Sequence, residues 1–148
     1  MKLKPFVFYS LFFILVFSGI GLASETAPNT TKLTIHIQGF ENSKGTARVA
    51  LINSKENYGQ DKPYKGFVTK ITKNQAILII PDLPRGEYAV KVFHDENENE
   101  QLDTRIFGIP AESYGFSNNA RGTMGPPDYE KAVFLLDTPE KRIDIQIK

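Results

Sequence analysis

Between residues 94 and 103 the chain reads HDENENEQLD, which sets Asp95, Asn97, Asn99 and Asp103 at alternate or near-alternate positions. Oxygen-bearing side chains at that spacing suit a hard cation, because a backbone curling round an ion turns every second side chain inward. Counted from Asp95 as position one, Asn97 is three, Asn99 is five, Gln101 offers its carbonyl at seven and Asp103 is nine, with Leu102 as an apolar anchor at eight. These are the first nine positions of an EF-hand loop. Two later demands go unmet: Glu100 stands at six, where glycine is the rule, and Ile106 at twelve, where a bidentate glutamate belongs. A non-glycine residue at positive φ costs on the order of 1 kcal/mol. The missing glutamate takes oxygens from a shell that wants roughly six to eight. The pattern therefore predicts a weak Ca²⁺ loop on a β scaffold, formed by Asp95, Asn97, Asn99, Gln101 and Asp103 and completed by Glu112 or by carbonyls of the glycine-rich segment. The competing reading is a solvated acidic turn held by Asx hydrogen bonds.

Catalysis in this loop is harder to support. Acid/base work needs a carboxylate or imidazole shielded enough to shift its pKa, and a cluster of Asp95, Glu96, Glu98, Glu100 and Asp103 reads as hydrated. His94 and Asp95 are adjacent, and adjacent residues of a strand face opposite ways. The chain has no G-x-S-x-G elbow, no H-E-x-x-H and no glycine-rich phosphate loop. A second constellation, GIPAESYGFSNNARGTMGPPDYEKAVF, spaces Tyr114, Phe116 and Tyr129 among Gly, Asn and Pro. It would make an aromatic, amide-rich face for a sugar or peptide, or it tucks its aromatics over the end of the fold. Arg121 is placed to pair with the acidic loop.

The elements that must position these residues are strands. KLTIHIQGF alternates Leu33, Ile35 and Ile37 against Thr34, His36 and Gln38, the pattern of a half-buried strand with His36 on the solvent side. GTARVALINS aligns Ala47, Val49 and Leu51, and the ENSKG before it has the residues of a hairpin connection. Residues 54–65 read as a surface loop. GFVTKIT and QAILIIP flank Lys73-Asn74, a tight-turn pair. GEYAVKVFHD sets Tyr88, Val90 and Val92 against Glu87, Ala89, Lys91 and Phe93, and after an irregular 104–129 stretch KAVFLLD and RIDIQIK close the chain. Apolar residues nowhere recur at helical spacing over three turns. About seven short strands in one domain predict an all-β, antiparallel Ig-like sandwich with Greek-key connections. A closed barrel is the alternative.

The first residues, MKLKPFVFYSLFFILVFSGIGLAS, combine Lys2 and Lys4, an uncharged run from Phe6 to Ile20, and the small residues Gly21 and Ala23. That is the make-up of a signal peptide cleaved after Ala23, against which stands a retained anchor. The expected organisation is a signal at 1–23, a disordered lead-in at 24–31 and one β-sandwich domain at 32–148, exported to the periplasm or beyond, with no stable membrane span after cleavage. Without Lys2 and Lys4 the 18 basic residues fall to 16 against 17 acidic ones, a net charge of −1. Such a chain lacks the basic footprint of a nucleic-acid binder. Cysteine is absent, which removes disulfides, thiol catalysis and Cys-ligated zinc from consideration.

The runs TARVALIN, LPRGEYAVKVFHDENENEQLDT and FGIPAESYGFSNNA, with the phenylalanine of the penultimate strand, resemble the DUF2141 family of small exported bacterial proteins of unassigned function. The resemblance spans about Lys32 to Lys148. It carries over to His94, Asp95, Asn97, Asn99, Leu102 and Asp103, and to Gly108, Pro110, Glu112, Tyr114, Gly115, Phe116, Ser117, Asn118 and Asn119. It implies a prealbumin-like or carboxypeptidase-regulatory-like sandwich and no activity. Family members often have glycine where this chain has Glu100, a departure that bears on ion affinity. The expected function is an exported binding or structural module with a weak calcium loop, its partner a small molecule, a glycan or an envelope protein. The alternative is a transthyretin-like small-molecule hydrolase, for which the chain has only His36 and His94 as imidazoles and no Tyr-Arg-Gly-Ser tail.

Overall fold

The computed structural model describes residues 29–148. The signal peptide and most of the lead-in expected at 1–31 lie outside the described residues. Eight strands form two sheets: β1 (Thr30–Gln38), β2 (Thr46–Ile52), β3 (Lys65–Lys70), β4 (Gln75–Pro84), β5 (Gly86–Asp95), β6 (Tyr114–Phe116), β7 (Phe134–Leu136) and β8 (Glu140–Gln146). Two short α-helices, α1 (Lys55–Gly59) and α2 (Tyr129–Ala132), and two single 3₁₀ turns, at Ile106–Gly108 and Ser117–Asn119, complete the list of regular elements. With 48% strand and 12% helix, the architecture is all-β.

One sheet has the order β4-β1-β8 and the other β3-β2-β5-β6, with β7 pairing the first residues of β5. The period-two pattern of each strand decides which side chains meet between them. Leu33, Ile35 and Ile37 of β1 and Ile143, Ile145 and Ile147 at β8 face Ala47, Val49, Leu51, Val90 and Val92, all buried in one core. Strand β1 begins at Thr30, two residues before the expected Lys32, because buried Thr31 donates its hydroxyl to the Thr138 carbonyl at 2.6 Å.

Three expectations about pairing are corrected. The ENSKG segment is not a hairpin: β1 and β2 lie in different sheets, so residues 39–45 cross between them. Lys73 and Asn74 do make the tight turn, both at positive φ (53° and 59°), with Thr72 and Gln75 exchanging backbone bonds. Beyond that turn, however, β3 and β4 part into separate sheets. The sandwich is also not wholly antiparallel, since β8 runs parallel to β1, Ile35 beside Ile143. Alternation shows which face a strand buries and is silent on its direction.

The 104–129 stretch is partly ordered and does more than cap one end. Ile52, Ala89 and Phe116 face away from the main core, and Tyr58 of α1 with Tyr129 and Ala132 of α2 pack over them as a second apolar cluster. Residues 54–65, expected as a loop, contain α1, whose Asn57 amide donates to the Ser54 hydroxyl cap. The Ser117-Asn118-Asn119 run is a rivet between layers. The Ser117 hydroxyl accepts from the Val90 amide at 2.9 Å and donates to the Ala132 carbonyl at 2.5 Å. The Asn118 amide donates to the carbonyls of Lys131 and Val133, and Asn119 accepts from the Gln146 amide at 2.7 Å. Gly115 packs closely against β8: a Cβ there would lie 3.0 Å from Ile147 Cγ2 and 3.1 Å from Ile145 Cγ2, so those side chains would have to shift by a few tenths of an ångström to admit one.

Ser117→Ala strands a buried amide and a buried carbonyl together, so it should lower unfolding free energy by about 2 kcal/mol or more. Urea denaturation checks this, and a loss under about 0.5 kcal/mol, the scale of ordinary surface changes, would show that the rivet is idle.

Candidate functional site

The acidic loop leaves the end of β5 and returns through a hairpin, residues 104–110, into β6. Asp95, the last residue of β5, is fully buried, which corrects the expectation of a hydrated carboxylate. On β2, Thr46 is opposite Asp95, so Arg48 sits on the diagonal of the same sheet face. Arg48 Nε donates to Asp95 Oδ2 at 2.5 Å, and its Nη2 lies 3.0 Å from Glu100 Oε1. The crossing connection reaches this corner only because Gly45 stands at φ 62°, where a Cβ would lie 2.0 Å from the Asp95 carbonyl oxygen.

The loop folds on its own acceptors. Asp95 Oδ1 accepts from the Asn99 amide at 3.0 Å and Oδ2 from the Glu100 amide at 3.0 Å. Asn97 Oδ1 accepts from the Asn99 amide, and Asn99 Oδ1 from the Gln101 amide at 2.9 Å. Glu100 stands at φ 70° and Glu98 at φ 58°, left-handed conformations with a cost of about 1 kcal/mol each in a non-glycine residue. At Glu100 the amide bond to Asp95 and the ion pair to Arg48 offset it.

Five of the six residues expected to ligate Ca²⁺ fall into two groups. Asn97 and Asn99 converge on Asp103, their Nδ2 atoms donating to Oδ2 at 2.7 Å and Oδ1 at 2.9 Å. Asp95 and Glu112 are directed elsewhere. Glu112 holds the two ends of the loop together, Oε1 accepting from the Glu96 amide at 3.1 Å and Oε2 from the Asp103 amide at 3.0 Å. The Gln101 side chain is exposed. Leu102, expected as an anchor, is instead 36% exposed. Arg121 donates to the Gln146 carbonyl and not to the loop. Among the described residues, no group of three or more His, Asp or Glu is placed to hold a metal ion. Asparagine and carbonyl oxygens make up the greater part of this donor set.

Electrostatics follow the geometry. Burial alone would raise the Asp95 pKa, but the Arg48 guanidinium and the amides of Glu100 and Asn99 outweigh it and hold the carboxyl below its ordinary value of 3.8. The two imidazoles are separate and structurally engaged. His94 is buried, donates from Nε2 to the Lys44 carbonyl at 2.8 Å and meets the Phe40 ring edge-on at 5.2 Å. His36, on the other sheet, lies between Asp144 (Nδ1, 3.0 Å) and Gln75 (Nε2, 2.9 Å), so it is tied into the sheet face and not idle.

A small hollow of about 40 Å³ lies beneath the loop, among Glu41, His94, Glu96 and Glu112. The larger groove, about 350 Å³, is distant in character, lined by Tyr58, Lys91, Pro127 and Tyr129. Its charges are neutralised in place: Lys91 pairs with Asp61, and Lys55 with Glu130 at 2.5 Å. Burial pushes the Tyr58 phenol up to about 12, and its hydroxyl donates to the Pro127 carbonyl. The aromatics expected to offer a sugar- or peptide-binding face are thus largely spent on packing, with Phe116 and Tyr129 buried.

Two packed β-sheets with an acidic loop closed between a buried aspartate, paired with a half-buried arginine, and a glutamate clamp define a small all-β domain. Residues 35–144 match the family described as "Uncharacterized protein conserved in bacteria (DUF2141)", and the chain belongs to that family. No curated protein matches it, and no solved structure does.

A carboxylate whose folded pKa is depressed stabilises the protein above its unfolded pKa, and that stability is lost as pH falls through the folded value. Asp95→Ala, which leaves Arg48 and two amides without their acceptor, should cost about 3 kcal/mol at neutral pH. It should also flatten the part of the stability profile below about pH 4. Urea denaturation across pH checks both; an unchanged acid limb would show that Asp95 is not the group concerned.

Proposed function

We propose that the protein is an exported, non-catalytic β-sandwich module, a binding or structural component of the envelope or its surroundings, whose 95–103 loop takes Ca²⁺ weakly. Its partner, in this reading, is a small molecule, a glycan or an envelope protein. The export part rests on the composition of residues 1–23. The calcium part rests on one observation, the convergence of Asn97 and Asn99 on the Asp103 carboxylate at 2.7 and 2.9 Å. In this proposal those three side chains and the Gln101 carbonyl hold the ion, while Asp95 and Glu112 shape the loop without touching it.

Weak affinity follows from the same geometry. To present oxygen to a cation, the two asparagine amides must turn, giving up bonds that now accept the Asn99 and Gln101 amides. The one carboxylate in the set supplies little charge. The dissociation constant then belongs with the weakest extracellular calcium sites, about 10⁻⁴ to 10⁻³ M. Ligand at ten times that value stabilises the folded state by about 1.4 kcal/mol.

Millimolar Ca²⁺ should therefore raise the melting temperature by a few degrees, with Mg²⁺ doing less because it demands a tighter, octahedral shell. Asp103→Ala should remove the response. Asp95→Ala should lower the melting temperature whether or not Ca²⁺ is present. Titration calorimetry with no Ca²⁺ heat, together with a melting point indifferent to millimolar Ca²⁺, would reduce the loop to a self-closed turn.

A further inference from the structure

The loop runs directly into a hairpin whose apolar residues point away from the protein. Ile106 is 78% exposed, Phe107 96% and Ile109 59%. Scattered single apolar residues on a surface call for no explanation, but here three fall within four positions at one projecting tip. The backbone holds them there. The Arg105 amide donates to the Ile109 carbonyl at 2.7 Å, the Gly108 amide to the Arg105 carbonyl at 3.1 Å and the Ala111 amide to the Asp103 carbonyl at 2.7 Å. Phe107 itself stands at φ 66°, a left-handed conformation that an L-residue avoids unless its surroundings impose it. At the hairpin's base, Glu112 fixes the Asp103 amide.

We propose that the 105–109 hairpin tip is a membrane-interface insertion device that seats Ile106, Phe107 and Ile109 in the headgroup-acyl boundary of a zwitterionic bilayer. A convex tip needs no matching cavity in a deformable medium, whereas a protein partner would have to supply a pocket of complementary shape. Charge complementarity points to the same occupant. Arg105 is exposed and has no ion-pair partner among the described residues, so its guanidinium is available to a lipid phosphate as its stem lies along the apolar surface. The neighbouring Glu96, Glu98 and Glu100 are exposed and acidic, which suits the ammonium groups of zwitterionic lipid and disfavours a surface of anionic lipid. A few apolar side chains give weak, reversible attachment, and never a span.

The two sheets of residues 29–148 enclose a core of their own, so the chain from Ser24 onward is the form to test, free of the apolar Phe6–Ile20 run. The protein has no tryptophan, which makes Phe107→Trp a single reporter. Its emission should shift to shorter wavelength on adding phosphatidylcholine vesicles, and the shift should persist in high salt. Phe107→Gly removes the ring and suits the positive φ, so its melting temperature should hold or rise while vesicle co-sedimentation falls about tenfold, the scale of losing one buried aromatic side chain. The proposal is overturned if the tryptophan emission ignores vesicles, if binding vanishes in high salt, or if Phe107→Gly co-sediments like the parent. It is equally overturned if the tip proves to join two copies, seen as concentration-dependent self-association that Phe107→Gly abolishes.

Discussion

A buried carboxylate with one guanidinium beside it sets the terms for one end of this molecule. Asp95 has lost its water, and a lone carboxylate in that position would be prohibitively costly. Arg48 and the amides of Asn99 and Glu100 replace the lost solvent with fixed donors. Such a pair need not add net stability compared with a well-packed apolar pair. What it does is shape geometry: Asp95 is satisfied by the next five residues curling back over it, with Glu100 at positive φ. The loop's shape is thus a consequence of the desolvation of one group.

Other features of that corner depend on the same constraint. Gly45 lets the inter-sheet connection lie against Asp95 and Glu96, and the connection's Lys44 carbonyl accepts a hydrogen bond from His94. Glu112 closes the far side of the loop from the strand side of β6, so the hairpin between Asp103 and Glu112 leaves from a fixed base. Further along the same outward face of the sheet, Ser117, Asn118 and Asn119 tie the helical layer to β5 and β8. Polar residues in this chain largely join layers that the apolar pattern has already brought together.

The inward faces of β1, β2, β5 and β8 were legible in the sequence because period-two alternation maps directly onto the sides of a pleated strand. Sheet membership was not. The turn chemistry of Lys73-Asn74 is a two-residue matter and was read correctly, whereas the parting of β3 from β4 depends on distant neighbours. The parallel direction of β8 left no local mark either. At the loop, the spacing of Asp95, Asn97, Asn99 and Asp103 was visible, and so was the demand on Glu100. The role of Arg48 was missed, although a lone arginine inside the apolar TARVALI strand was its signal: a charge in such a strand asks for a partner on an adjacent one. Glu112, a candidate cation ligand by its place in the sequence, accepts from two backbone amides, a role that spacing does not reveal.

The central claim is that the 95–103 loop is a closed hydrogen-bonded structure anchored on buried Asp95, where a solvated acidic turn would be open. Native-state amide hydrogen exchange of the wild-type protein, without added divalent cations, tests it most directly. Protection at the amides of Glu96, Asn99, Glu100 and Asp103, well above that of the exposed Asn97 and Glu98 amides, is the predicted result. Exchange at all of these positions near the rate of an unstructured peptide would contradict it.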